Sequence, residues 1–181
     1  MAGAAERTSQ LLASPGWVTF TSAEPRSETI DRVIRLAFAG DRSRYARFLA
    51  ELRAVTPRDA EIILRGSAVT GKRWADDLPF DATGVGTSDL DVTFIGGGLI
   101  NRWDEYYIPG LHTVPLSDEH PGACREFSDL RRTLSEIAGR PVNLQATTSF
   151  VQFARDILFD QPYVTLIECR VPPDFAGEGE A

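Results

Sequence analysis

Two aspartates stand one residue apart at the start of an apolar segment, GVGTSDLDVTFIG, which covers residues 84–96. The apolar run is typical of a β-strand, in which side chains two positions apart point to the same face of the sheet. Asp89 and Asp91 therefore project together from one face, whereas Leu90 and Val92 point to the other face. The two carboxylates are neighbours.

The closeness of these carboxylates indicates a cation site. Like charges held side by side repel each other and raise one of the two pKa values unless a cation lies between them. Mg²⁺ commonly binds through one or two carboxylates together with substrate phosphates. We therefore predict Asp89 and Asp91 as ligands of a Mg²⁺ cofactor. The alternative is a solvated strand face, with Ser88 and Asp89 merely starting the strand.

A second motif, LRGSAVTG at residues 64–71, follows another short apolar run. The run AEIILR is typical of a buried strand that ends in a turn at Gly66 and Ser67. At a turn that leads into a helix, a phosphate can bind to backbone N–H groups, to the positive end of the helix dipole and to a serine hydroxyl. Glycine leaves room for the phosphate. Gly-Ser pairs are also common in ordinary turns, so this motif alone defines no site.

Helical periodicity precedes these strands. One helix is predicted from the N-cap Ser27 to Gly40, and a second from the N-cap Asp41 to the stop at Thr56 and Pro57. Together they form an N-terminal helical hairpin.

The second half of the chain repeats the alternation of helix and strand. A helix is predicted over 124–139, a third strand in PVNLQAT (141–147), and a final helix capped by Thr147 or Thr148 with apolar residues up to Leu158. YVTLIE (163–168) adds a last strand. Residues 72–87 are predicted as a loop in which Asp76, Asp77 and Asp81 are solvated, and 99–122 as an irregular insertion that places His112 in a surface loop.

These elements predict an α/β fold: a mixed sheet flanked by helices, with the added helical hairpin. The length of 181 residues suits one domain, which we place at 27–171, with its motif core at about 60–146. A partly ordered N-terminal arm at 1–26 and a C-terminal tail at 172–181 complete the division.

Composition narrows the class of partner. The net charge of −7 argues against coating a polynucleotide, because that binding neutralises phosphates with Lys and Arg. A small molecule or a protein is therefore favoured as the partner over nucleic acid. The two cysteines suit a reducing compartment, and no segment is long and apolar enough to cross a membrane, so we expect a cytoplasmic protein that does not bind membranes.

The combination of motifs resembles the minimal nucleotidyltransferases of the DNA polymerase beta-like superfamily. Gly66, Ser67 and Gly71 match its Gly-Ser motif, and Ser88, Asp89 and Asp91 match its D-x-D motif. The resemblance implies that the first motif grips nucleotide phosphates and that Asp89 and Asp91 are catalytic residues that hold Mg²⁺. The nucleotide-binding residues that we predict are Gly66, Ser67, Ser88 and Lys72, with Arg65 and Arg73 as further candidates.

The sequence departs from the family pattern. Thr70 stands where many members have arginine, the loop between the motifs is longer, and the third strand carries Asn143 where a minimal member has a third carboxylate. An amide oxygen can touch a metal but carries no charge and cannot act as a base. Glu61 and Glu168 are the candidates for a replacement acid.

The expected activity is transfer of a nucleoside monophosphate from an NTP, with ATP as the first choice, to a hydroxyl of a small molecule or protein. The alternative is a catalytically impaired nucleotide-binding or partner-binding module that retains the fold. Asn143 motivates this alternative.

Overall fold

The computed structural model describes residues 25–148 and 161–170, which form a mixed α/β fold. The helices are α1 (Arg26–Ala37), α2 (Arg42–Val55), α3 (Ser67–Thr70) and α4 (Ser128–Ala138). The strands are β1 (Ala60–Arg65), β2 (Leu90–Gly96), β3 (Tyr106–Ile108), β4 (His112–Thr113), β5 (Val142–Thr147) and β6 (Tyr163–Ile167). Short 3₁₀ turns lie at Leu99–Arg102 and Arg125–Phe127.

The six strands form one sheet in the order β3-β4-β5-β2-β1-β6. Strand β2 pairs antiparallel with β1 and parallel with β5. The other pairings, β1 with β6, β3 with β4 and β4 with β5, are antiparallel. The predicted mixed sheet is confirmed, including the strands predicted in PVNLQAT and YVTLIE.

One face of the sheet is apolar, and the other carries mostly polar side chains. The register aligns Leu64 with Val92 and Val92 with Leu144, and all three side chains are buried in one core with residues of α1, α2 and α4. On the opposite face, Arg65 aligns with Asp91 and Asp91 with Asn143. Because paired residues share a face, the polar residues of three strands are brought together away from the core.

The two N-terminal helices form, but they do not make a tight hairpin. Asp41 caps α2 as predicted, since its carboxylate accepts hydrogen bonds from the backbone N–H groups of Ser43 and Arg44 at 2.8 and 3.0 Å. Helix α1 begins at Arg26 after Pro25, so the predicted cap at Ser27 is wrong. Helix α1 packs mainly on α3, and α2 mainly on α4.

The insertion at 99–122 is more regular than predicted. It contains the hairpin of β3 and β4, which extends the sheet beyond β5. His112 is 2% exposed in β4 rather than lying in a surface loop. Each strand has only two or three residues, too few to show a period of two in the sequence.

Several predicted segments lie wholly or largely outside the described residues. These are most of the arm at 1–26, the final helix after Thr148 and the tail at 172–181. Within the described residues, no helix combines the length and the apolar character that crossing a bilayer requires.

The loop at 72–87 is anchored by a buried arginine. Arg140 Nη1 donates to Asp81 Oδ1 at 2.9 Å and to the Ser88 carbonyl at 3.0 Å, and Arg140 Nε donates to the Ala37 carbonyl at 3.2 Å. The guanidinium also stacks over the Phe80 ring, 4.5 Å from its centroid. The prediction that Asp81 is a solvated acid is wrong, because this residue is the counter-ion of Arg140. Arg140 thereby ties α1 and the start of β2 to the loop.

This ion pair makes a prediction about stability. Asp81→Asn leaves the Arg140 charge buried without its counter-ion, so we expect the free energy of unfolding to fall by about 3 kcal/mol at pH 7, measured by urea denaturation. Asp77→Asn is the matched control, because Asp77 lies in the same loop at a similar positive φ but is 87% exposed. Its effect should stay within about 0.5 kcal/mol.

The same variant has a distinctive pH dependence. Burial raises the pKa of Asp81, but hydrogen bonds from Arg140, Gly86 and Ser88 outweigh this and lower it to about 2. A lowered pKa contributes stability that is present above the unfolded value of 3.8 and is lost as the pH falls through about 2. The difference between wild type and Asp81→Asn should therefore shrink between pH 4 and pH 2. A difference that is constant with pH would contradict this role.

Candidate functional site

Strand direction places both sequence motifs at one edge of the sheet. Strand β1 ends where its antiparallel neighbour β2 begins, and β5 begins at the same edge because it runs parallel to β2. Arg65 at the end of β1 therefore lies beside Asp91, and Asp91 lies beside Asn143. The Gly66–Ser67 turn follows directly from this edge. The site thus combines three segments that are far apart in the sequence.

Asp89, Asp91 and Asn143 form a hydrogen-bonded cluster. The Asn143 Nδ2 atom donates to Asp89 Oδ2 at 2.6 Å and to Asp91 Oδ1 at 3.1 Å. Asp89 precedes β2 and is exposed, whereas Asp91 lies within β2 and is half-buried. The two carboxylates therefore converge on one position, which here is held by an amide N–H group.

Gly66 fits closely against this cluster. A Cβ atom at residue 66 would lie 3.1 Å from Asp91 Oδ2. The backbone there has φ 86° and ψ −163°, a conformation that is essentially confined to glycine. Glycine therefore serves two purposes, because it permits the sharp exit from β1 and lets the chain pass directly beside the carboxylate.

The turn leads into a helix of only four residues, Ser67–Thr70. The predicted turn into a helix is confirmed, but a single helical turn aligns few peptide groups, so the dipole at its N-terminus is small. The Ser67 hydroxyl is half-buried and has no hydrogen-bond partner within the described part of the chain. Ser67 thus keeps a donor and an acceptor available beside Gly66.

Two of the predicted nucleotide-binding residues have other partners. Ser88 is buried, where its hydroxyl accepts from the Asp81 N–H at 2.8 Å and its own N–H donates to Asp81 Oδ1 at 2.9 Å. It therefore fixes the backbone just before Asp89. The Lys72 ammonium lies 3.8 Å from Asp77 on the exposed loop. The side chains of Ser88 and Lys72 are thus engaged with the loop at 72–87.

A second polar row lies behind the aspartates on the same face. In the amide orientation that satisfies its neighbours, Gln145 Oε1 accepts from Thr93 Oγ1 at 2.8 Å and from Arg65 Nε and Nη2 at 3.2 and 3.1 Å. Gln145 lies on β5, two strands away from Arg65 on β1, so the arginine side chain extends across β2. Thr93 and Gln145 are buried, which fixes the guanidinium beside Asp91.

This row also shapes the electrostatics of the site. Burial raises the pKa of Asp91; the positive charge of Arg65 opposes this, Asp89 reinforces it, and the hydrogen bond from Asn143 opposes it. The net direction is upward. Burial together with the Arg65 charge lowers the pKa of His112 to about 4, which keeps that imidazole neutral near pH 7. The positive charge of Arg65 therefore acts on both Asp91 and His112.

The proposed replacement acids lie at the other end of the sheet. Glu61 is four residues before Arg65 on β1, about 13 Å along the strand, and it accepts a hydrogen bond from Thr165 at 2.9 Å. Glu168 follows β6, which ends opposite Ile62, and pairs with Arg26. Neither glutamate joins the aspartate pair, so the expectation that one of them replaces the third carboxylate is wrong for this conformation.

The donor set fits one hard cation. Two carboxylate oxygens converge on a common position, and the Asn143 amide has an oxygen as well as the nitrogen that now bonds to them. Mg²⁺ takes such oxygens and completes its shell with water or phosphate. In residues 25–148 and 161–170, no group of three or more His, Cys, Asp or Glu side chains forms a metal-type cluster. Any ion held here would therefore keep several other ligands.

The tight fit at Gly66 can be tested by stability measurements. Gly66→Ala places a Cβ against Asp91 in a backbone conformation that disfavours alanine, so we expect a loss of about 2–3 kcal/mol in the free energy of unfolding in urea. Gly40→Ala is the matched control, because Gly40 also has a positive φ but a Cβ added there would meet nothing within 4 Å. It should lose about 1 kcal/mol. Equal losses would show that the contact with Asp91 is not tight.

No family model, curated protein or solved structure matches this chain.

Proposed function

We propose that the protein is a Mg²⁺-dependent nucleotidyltransferase that moves a nucleoside monophosphate from an NTP to a hydroxyl. The observation that carries this proposal is the direct contact of the two motifs. Asp91 lies against Gly66 of the Gly66–Ser67 turn and shares the Asn143 amide with Asp89. A carboxylate pair beside a glycine turn suits a nucleotide whose phosphates carry a divalent cation.

The order of elements supports the same proposal. A strand, the Gly-Ser turn, a loop, the D-x-D strand and a parallel strand bearing Asn143 follow one another as in the DNA polymerase beta-like nucleotidyltransferases. We propose that the mixed sheet has this nucleotidyltransferase-like arrangement. The support comes from the motifs and their adjacency.

Each residue has a separate role in this proposal. Asp89 and Asp91 would hold Mg²⁺, which when bound neutralises phosphate charge and stabilises the attacking and leaving oxygens. Gly66 leaves room for a phosphate and Ser67 offers its hydroxyl. Ser88 acts indirectly, through the backbone that positions Asp89. Lys72 remains a candidate for phosphate contact if it leaves Asp77.

The reaction forms one bond and breaks one. The acceptor hydroxyl oxygen attacks the α-phosphorus, and the bond from that phosphorus to the oxygen bridging the α- and β-phosphates breaks, which releases pyrophosphate. Asn143 carries no ionisable group, so the hydroxyl proton passes to a carboxylate of the pair or to water. Positioning and charge neutralisation supply most of the rate enhancement in such transfers.

The donor that we propose is ATP, and the acceptor is a small molecule or a protein side chain. The net charge of −7 disfavours a polynucleotide acceptor, whose phosphates would be repelled. Cys124 is a buried free thiol, which supports a reducing, cytoplasmic location.

One observation favours a second candidate function. Asn143 occupies the place of the third carboxylate and bonds to both aspartates, so the pair is partly satisfied without a cation. This contact suits a nucleotide-binding or partner-binding module that keeps the fold but transfers nothing.

The two candidates differ in one assay. We expect the wild-type protein, incubated with Mg²⁺, labelled ATP and a panel of hydroxyl acceptors, to release pyrophosphate and label an acceptor. The double variant Asp89→Asn/Asp91→Asn should lose this activity by about 10³-fold or more, because it removes both charges that hold the cation.

Two exposed acids provide the control. Asp31→Asn/Asp129→Asn removes the same charge from sites that are 59% and 90% exposed, and it should keep full activity. Nucleotide binding without transfer or pyrophosphate release on any acceptor would favour the module. Transfer that survives in the double aspartate variant would exclude the aspartate pair as the catalytic site.

A further inference from the structure

We propose that this site holds one divalent cation, not two, and that Arg65 supplies the second positive charge to the nucleotide phosphates. The inference rests on the proposed function and assigns roles to Arg65, Asn143 and Gln145 within it. Two-metal phosphoryl-transfer sites use a pair of ions about 4 Å apart. The described residues of this chain offer one convergent pair of carboxylates and, next to it, a fixed guanidinium.

The first support is the position of the Asn143 amide. It contacts both carboxylates, so it is the third group at the point where they converge. A carboxylate at residue 143 would raise the charge of the cluster from −2 to −3 and provide oxygens for a second ion. An amide adds no charge and has only one oxygen, and Mg²⁺ gives up its water reluctantly to neutral ligands. Asn143 therefore limits the site to one cation.

The second support is the way in which Arg65 is held. Its Nε and Nη2 atoms both donate to Gln145, which also bonds to the buried Thr93. The side chain thus crosses β2 and is fixed beside Asp91, one residue before Gly66. Within the described residues the Nη1 atom of Arg65 donates to no other group. The guanidinium therefore keeps one donor for a phosphate oxygen.

These two features together determine the positive charge that meets a triphosphate. One divalent ion and one guanidinium give the site three positive charges against two carboxylates, and the excess is available to the phosphates. The ligand class is therefore a nucleoside triphosphate that carries one bound metal ion. Gln145 is a positioning residue, because it acts on the nucleotide only through Arg65.

The test is a count of bound metal ions. Mn²⁺ replaces Mg²⁺ and is detected directly by electron paramagnetic resonance, so the full-length protein is titrated with Mn²⁺ in the presence of a non-hydrolysable ATP analogue. We expect one Mn²⁺ per chain. Asn143→Asp should bind a second Mn²⁺ or tighten the first by about tenfold or more. Asn101→Asp is the control, because it adds the same charge at an exposed position and should change neither number.

The role of Arg65 is read out by nucleotide affinity in the same titrations. Arg65→Met keeps the apolar stem but removes the guanidinium, so the analogue should bind about tenfold more weakly while the count stays at one Mn²⁺ per chain. Gln145→Leu should weaken binding of the analogue by a smaller factor, because Arg65 remains but is no longer held. Arg132→Met, which removes an exposed arginine that pairs with Asp129, should change nothing.

The outcomes separate this inference from the proposed function. Two Mn²⁺ per wild-type chain would overturn the one-cation site while leaving the nucleotidyltransferase proposal intact. An unchanged nucleotide affinity in Arg65→Met would overturn the role of the arginine. Absence of any Mn²⁺ binding to the wild type, with or without the analogue, would instead overturn the proposed function on which the inference rests.

Discussion

The pairing of β2 with two neighbours of opposite direction is the constraint on which the site depends. An antiparallel partner, β1, brings the end of one strand to the start of β2, and a parallel partner, β5, brings a second start to the same edge. Asp91 lies in the middle of this arrangement, with Arg65 on one side and Asn143 on the other. A shift of one residue in either register would turn these side chains into the apolar core and expose Val92 and its neighbours instead. The same burial that stabilises the sheet therefore fixes the polar groups on the opposite face.

The polar face is stabilised by hydrogen bonds in place of apolar packing. Buried polar groups are costly unless they are paired, and here Thr93 and Gln145 bond to each other while Gln145 also satisfies two donors of Arg65. A network of this kind holds its members in one arrangement, since breaking one bond leaves another buried group unsatisfied. Thr93 and Gln145 thus hold the charge of Arg65 in place. The carboxylate of Asp89 is more exposed and remains accessible to a ligand.

Local sequence patterns predicted the parts of the site that local rules govern. Strand alternation placed Asp89 and Asp91 on one face and Asn143 with Gln145 on another strand, and the capping rules placed Asp41 before α2. Local sequence patterns could not predict the strand order, because nothing near Asp91 in the sequence specifies that residue 143 lies beside it. The pairing of Arg140 with Asp81 joins positions 59 residues apart, so the loop acids near Asp81 all look alike in the sequence. The hydrogen bonds between Ser88 and Asp81 were not predicted either, because the irregular loop between them shows no periodicity from which a contact could be inferred.

Asn143 determines how the aspartate pair is satisfied when no cation is bound. With a third carboxylate, three negative charges would crowd one edge of the sheet and the fold would be strained until a cation arrived. The amide removes that repulsion and bonds to both aspartates, so the edge is stable without metal, and the cost is a weaker hold on any ion that does bind. A cation that must displace an amide N–H group binds with a less favourable free energy than a cation that relieves repulsion between carboxylates. In the proposed function, nucleotide phosphates would supply the missing oxygens, so that the metal ion and the nucleotide would bind together.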